Sequence, residues 1–142
     1  MQLEYRNIKW GEVHVLHCLV IDDNSNNCTV ARYIMEDMGF NVHTAENVED
    51  SLKYVASNDC DVILLDWMMP DIDGIDFLEL LRESDAGKQI KVIMCTAKQG
   101  DANREHALKA GADAYVVKPL TLQNLGDALN EVGIEIKGEA AS

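Results

Sequence analysis

No apolar run in this sequence approaches the ~20 residues that a membrane-spanning helix needs. The opening MQLEYRNIKWGEV lacks a basic stretch followed by an apolar one, so no secretory signal is read there and a cytoplasmic location is expected. Cysteine is sparse: Cys18, Cys28, Cys60 and Cys95, with no C-x-x-C pair among them. That argues against a zinc site or a redox pair, and Cys18 and Cys95, inside strand-like runs, read as buried reduced thiols. Positive charge is scarce too. Twelve Lys and Arg stand against 25 Asp and Glu, and the net charge of −13 repels nucleic acid and anionic membrane alike. Neither is expected as a partner.

What is present is the composition of one globular domain. A chain of 142 residues, 47% apolar and 26% charged, can bury roughly 70% of the surface its unfolded form exposes, and needs neither disulfide nor structural metal to fold. Short β-branched apolar runs recur at 15–21, 41–45 (weakly), 62–65, 91–95 and 114–117, each bounded by polar or turn residues, as strands buried on both faces should be. Helix-length segments lie between them. The first spans 29–38 and is followed by Gly39, suited to a left-handed C′ position; the second spans 48–57 after Asn47, an N-cap with Asp50 three residues on. The others span 75–82 after Gly74, 103–110 before Gly111, and 122–132 after Thr121. Strand then helix, five times over, predicts an α/β doubly wound parallel sheet with helices on both faces. The domain is placed at 15–133, with an N-terminal extension over 1–14, where Leu3, Tyr5, Ile8 and Trp10 form either a packed arm or a frayed end, and a polar tail over 134–142.

In an open parallel sheet, ligands gather beyond the C-terminal ends of the strands. The predicted strands deliver Asp22 and Asp23, then Asp66, then Thr96, then Lys118 and Pro119 to that edge. Adjacent carboxylates repel by about 4 kcal/mol per pair at a typical effective dielectric, so the three need a cation. An all-oxygen site with open positions suits Mg²⁺, and Thr96 and Lys118 then supply a hydrogen-bond donor and a charge for an anion beside the metal. Such a site is built to receive a phosphoryl group.

Four motifs carry a specific resemblance: the acidic pair in LVIDDN, the aspartate in ILLDWMMPDIDG, the hydroxyl in VIMCTA and the Lys-Pro in AYVVKPL. In that order at strand ends, they make the chain similar to the response-regulator receiver domains of two-component signalling, of the single-domain CheY-like type, over about residues 16–132. The resemblance implies a (βα)5 flavodoxin-like fold with strand order 2-1-3-4-5. It implies that Asp66 is the phosphorylated nucleophile, taking its phosphoryl group from a histidine kinase, a histidine phosphotransfer protein or a small acyl phosphate. Mg²⁺ is then held by Asp23, Asp66 and the backbone carbonyl of Met68, with Asp22 acting through water. Thr96 and Lys118 contact phosphoryl oxygens. Thr96 moving inward draws Tyr115 with it, reshaping the face of the fourth helix, fifth strand and fifth helix for a downstream protein target. A Lys-Pro peptide that is often cis in the family is implied at 118–119.

Other residues read more plainly. Asp71 and Asp73 are turn formers ahead of Gly74, and Tyr115 is equally a packing residue. Trp67, Met68 and Met69 are expected to form a packed wall of the crevice. His14 and His17 point to opposite faces of an extended segment, His43 and His106 carry no signal, and Glu36, Asp37, Glu49 and Asp50 form a solvated acidic surface. Met68 and Lys98 stand two residues after Asp66 and Thr96, where rapidly resetting members of the family carry polar residues that help water attack. Slow self-dephosphorylation is expected from them. Met68 also replaces the second aspartate that a haloacid-dehalogenase-like phosphohydrolase requires, and DDNSNN is too acidic for a flavodoxin phosphate loop. An inactive receiver serving only as an interaction module is disfavoured because every reacting group is present. With about twenty residues after Pro119, a stand-alone regulator with chemotaxis-type or phosphorelay output is expected rather than an enzyme in its own right.

Overall fold

The computed structural model describes residues 15–134. The proposed arm at 1–14, His14 of the H-x-x-H pair, and the tail from 135 onward lie outside the described residues. Five strands, β1 (His17–Ile21), β2 (Asn41–Ala45), β3 (Val62–Asp66), β4 (Lys91–Thr96) and β5 (Ala114–Val117), alternate with five helices, α1 (Ser25–Asp37), α2 (Val48–Ser57), α3 (Gly74–Glu83), α4 (Asp101–Ala110) and α5 (Leu122–Glu131). All neighbouring strands pair in parallel in the order β2-β1-β3-β4-β5, the order that the resemblance implies.

The near-continuous apolar strands are explained by two cores. Successive side chains of a strand point to opposite faces, so Cys18, Val20, Val62, Leu64, Ile93, Cys95 and Val116 pack against Met35 of α1 and Leu125 and Leu129 of α5. The alternate set, Leu19, Ile21, Ile63, Leu65, Val92 and Met94, packs against Val55, Phe77, Leu78, Leu81 and Ala107 on the other side. Both faces of the inner strands β1, β3 and β4 being covered, neither face can be polar along their buried lengths, whereas the edge strand β2 exposes Asn41 and His43. Ile134 is 3% exposed and joins the first of these cores, with its amide bonded to Leu129 O.

Register then fixes the chemistry. Asp66 and Thr96 are the last residues of β3 and β4, one step beyond the apolar runs, with Asp66 opposite Cys95 and Thr96 opposite Val117. The helices start where side chains cap them. Asn47 accepts from the Asp50 amide, and Thr121 and Asn124 form a reciprocal capping box. The other boundaries fall within two residues of the sequence expectation, but α1 begins at Ser25, four residues before the expected start at Thr29. The polar run DDNSNN looks like loop, but Asn24 takes extended dihedrals and accepts from the Asn27 amide at 3.0 Å, so the run is a helix start. Gly39 has φ 98, the left-handed conformation that ends α1.

At the opposite edge of the sheet, Arg82 holds two loops together. It donates to Gly87 O at 2.7 Å, Ile90 O at 2.6 Å and Gly111 O at 2.7 Å, and pairs with Asp113 at 2.8 Å. A planar guanidinium serves these converging carbonyls in a way that a lysine does not.

Candidate functional site

The carboxylates of Asp22, Asp23 and Asp66 each bring an oxygen to within 4.8 Å of the others. Asp22 and Asp66 are buried while Asp23 faces solvent. Asp22 is fixed from two sides: its Oδ1 accepts the Asn24 amide at 2.9 Å, and its backbone carbonyl accepts the Cys28 thiol at 3.2 Å. Lys118, just past β5, reaches both buried acids, with Nζ 3.0 Å from Asp22 Oδ2 and 3.4 Å from Asp66 Oδ1. The Lys118–Pro119 peptide is cis. Thr96 is fully buried at the end of β4, and its Oγ1 accepts the Lys98 amide at 3.1 Å. The hydroxyl hydrogen is therefore left for another acceptor. Asp22, Asp23, Asp66, Thr96 and Lys118, the predicted set, arrive from four strands at one edge.

Electrostatics follow from this crowding. Burial, and then the charge of Asp22, push the Asp66 carboxyl above its ordinary value, while Lys118 and the Met68 amide pull the other way. For Lys118, burial works against the ammonium, but the hydrogen bond and charge of Asp22, followed by those of Asp66, outweigh it and raise the pKa. Two buried acids and one lysine leave a surplus of negative charge, and Asp23 adds to it from the solvent side. Hard oxygen donors in surplus, one of them open to water, fit a hydrated divalent cation.

The segment after Asp66 closes one side of the crevice. Gly74 sits so close to it that a Cβ would lie 2.6 Å from Asp66 O and 2.7 Å from Trp67 Cα. Asp73 caps α3 by accepting the Ile75 amide at 2.7 Å, and it also accepts the Trp67 indole N–H at 3.3 Å. Asp71 reaches the Val48 amide at the start of α2. Asp73 shapes the turn ahead of Gly74, as expected of it, while the bond of Asp71 runs across to α2. Trp67 is buried, but Met68 is 61% exposed, so the packed wall expected of 67–69 is corrected at that residue. The strand ends at Asp66, and beyond it the alternation that buries side chains no longer applies.

On the other side, Tyr115 is 8% exposed and its hydroxyl donates to Lys98 O at 2.7 Å. Lys98 Nζ stands 4.2 Å over the Trp67 ring. Arg104 of α4 pairs with Glu131 of α5 at 3.3 Å. The contributions of Asn24 and Cys28 to holding Asp22 were not anticipated. Asn24 carried a usable signal, an N-cap residue directly after the acidic pair; Cys28 carried none.

A 2-1-3-4-5 parallel sheet with three carboxylates, a threonine and a lysine at adjacent strand ends is the arrangement that the resemblance to receiver domains implies. Residues 18–130 match the family model of the response regulator receiver domain, and the chain belongs to that family. It is 36% identical over 103 residues to the transcriptional regulatory protein SrrA of Staphylococcus aureus (strain NCTC 8325 / PS 47), covering 72% of this chain and 42% of the relative. The chain thus spans less than half the length of that relative. Among solved structures, a CheY-like receiver domain protein from Methanospirillum hungatei JF-1 superposes with a TM-score of 0.73 at 28% identity, covering 83% of this chain and 93% of its own. A response regulator from Burkholderia pseudomallei, solved with a phosphorylated aspartic acid, calcium ion and citrate, superposes with a TM-score of 0.72 at 26% identity, covering 80% and 66% respectively.

Proposed function

We propose that this receiver domain takes a phosphoryl group on Asp66 from the phosphohistidine of a histidine kinase or a histidine phosphotransfer protein, and that the adduct switches a protein-binding face. A carboxylate oxygen of Asp66 attacks phosphorus, the P–N bond to the imidazole breaks, and the electron pair leaves with the imidazole. The observation that carries this reading is Lys118, whose ammonium spans Asp22 and Asp66. It can pass from the Asp66 oxygen to a phosphoryl oxygen without leaving the crevice, while the Thr96 hydroxyl donates its spare hydrogen to another. Mg²⁺ held by Asp23, Asp66 and the Met68 carbonyl, with Asp22 through water, would neutralise charge on the transferring group. The Burkholderia relative, with its phosphorylated aspartic acid and calcium ion, supports the same chemistry.

Output passes through α4, β5 and α5, with Thr96 and Tyr115 as the switch. The net charge of −13 favours a protein target in a chemotaxis-type or phosphorelay pathway over DNA. Met68 and Lys98 lengthen the life of the adduct, because neither is placed to orient an attacking water as a small polar side chain would. The protein catalyses its own phosphorylation and dephosphorylation, and acts in the cytoplasm. Incubation with acetyl phosphate and Mg²⁺ tests the reading: a base- and hydroxylamine-labile adduct on Asp66, absent in Asp66→Asn, is expected. Steady turnover of phosphate esters would instead indicate a hydrolase, and no adduct an inactive receiver.

A further inference from the structure

Lys98 is attached by three of its own groups to three strand ends. Its amide donates to Thr96 Oγ1 at 3.1 Å beside β4, its carbonyl accepts the Tyr115 hydroxyl at 2.7 Å from β5, and its ammonium lies 4.2 Å over the Trp67 ring beyond β3. Trp67 is a firm platform. It is 3% exposed, its indole N–H is bonded to Asp73, and its ring meets Tyr115 and His106 edge-on with centroids 6.3 and 5.5 Å away. The hydroxyl of Thr96, the ring of Tyr115 and the residue next to the nucleophile are therefore joined through one lysine. None of these contacts uses the Asp66 carboxylate.

We propose that the contact between Lys98 and Trp67 is a latch holding the 96–98 segment and Tyr115 inward, so that phosphorylation enlarges an inward population that already exists instead of creating one. The inference rests on the receiver reading of the site and adds to it a device that regulates the resting state. A lysine ammonium on an indole face, half withdrawn from water, is worth a two- to thirty-fold change in a two-state ratio, by the usual strength of cation–π contacts (about 0.5–2 kcal/mol). Charge at residue 98 thereby sets how much of the output face is formed before any signal arrives. An acidic residue there would meet the negative face of the ring and push the equilibrium the other way.

The test uses the full chain labelled with 3-fluorotyrosine, the Tyr115 signal being assigned by its loss in Tyr115→Phe. Wild type, Lys98→Met and Lys98→Arg are compared by fluorine NMR with and without beryllofluoride and Mg²⁺. Without beryllofluoride, the inward-to-outward ratio is expected to fall two- to thirty-fold in Lys98→Met and to be kept in Lys98→Arg, where the cation remains. Beryllofluoride should bring Lys98→Met back to the inward signal. An inward ratio in Lys98→Met equal to that of wild type before beryllofluoride overturns the latch. A Lys98→Met variant whose Tyr115 signal does not respond to beryllofluoride, together with a wild type that forms no adduct on Asp66 with acetyl phosphate and Mg²⁺, overturns the receiver reading itself, so the two failures are distinguishable.

Discussion

Asp66 sits where its charge is costly. Its carboxyl is raised above the ordinary value of 3.8 by burial and by Asp22, so the folded protein holds this proton more tightly than the unfolded chain does. Ionising the group therefore lowers stability. The cost is absent below the unfolded value of about 3.8 and complete once pH has passed the raised folded value. Asp66→Asn, whose amide oxygen can still accept from Lys118, is expected to stabilise the metal-free protein at pH 7, and to leave it unchanged near pH 3. Thermal unfolding in chelator at the two pH values checks both halves, and equal stability at pH 7 would contradict them. Two residues on, Met68→Asn with Lys98→Glu is expected to speed loss of the phosphoryl group in Mg²⁺ by tenfold or so, a barrier change of about 1.4 kcal/mol; an unchanged decay rate rejects the lifetime role of the pair. The residues of the acidic crevice were legible because each ends or follows an apolar run, which locates it in three dimensions. The seat of the Lys98 ammonium on Trp67 was not, since it joins residues far apart in sequence through a loop that obeys no period.

Elements carry the site to its place, and their ends decide how accurately. Gly74 reads in sequence as a turn former; in the structure it is also the point where α3 presses on the end of β3. Its missing Cβ leaves room for Asp66 O and Trp67 Cα, both backbone atoms that cannot rotate away. Alanine would favour a helix by about 1 kcal/mol over glycine, but overpacking costs about 1–3 kcal/mol. Since the obstruction is main chain at the end of the strand that carries Asp66, the clash should win. Gly74→Ala is expected to lose about 1–2 kcal/mol in urea unfolding and to slow acetyl phosphate labelling of Asp66, whereas a variant as stable and as reactive as wild type would show that the loop gives way. The helix caps at Asn47 and Thr121 were legible for the reason they work, a polar side chain ahead of an apolar-periodic run. The start of α1 was missed because DDNSNN combines two tasks: Asp22 and Asp23 serve the site while Asn24, next in line, already caps the helix.

Across the whole molecule, the inner strands were legible because a sheet covered on both faces allows no polar strand interior, and the edge strand β2, with Asn41 and His43 exposed, was correspondingly weak. The arrangement of those strands was not legible from pattern alone, since the periodicity of a strand is silent about its neighbours; the order came with the resemblance. Net charge acts at this scale too, and it must be separated from the site. Any salt screens a chain of net charge −13, so stabilisation by Mg²⁺ could arise without specific binding. Asp23 distinguishes the two causes. It is solvent-exposed, so Asp23→Asn should change metal-free stability by no more than about 0.5 kcal/mol, yet it removes one of the three clustered carboxylates. At a Mg²⁺ concentration about a hundredfold above Kd, site binding should stabilise the wild type by about 2.7 kcal/mol, and Asp23→Asn should forfeit most of that. Sodium chloride at matched ionic strength should affect both proteins equally. Melting temperatures that rise together with Mg²⁺, to the same extent in wild type and variant, would assign the effect to overall charge and remove the metal from the acidic crevice.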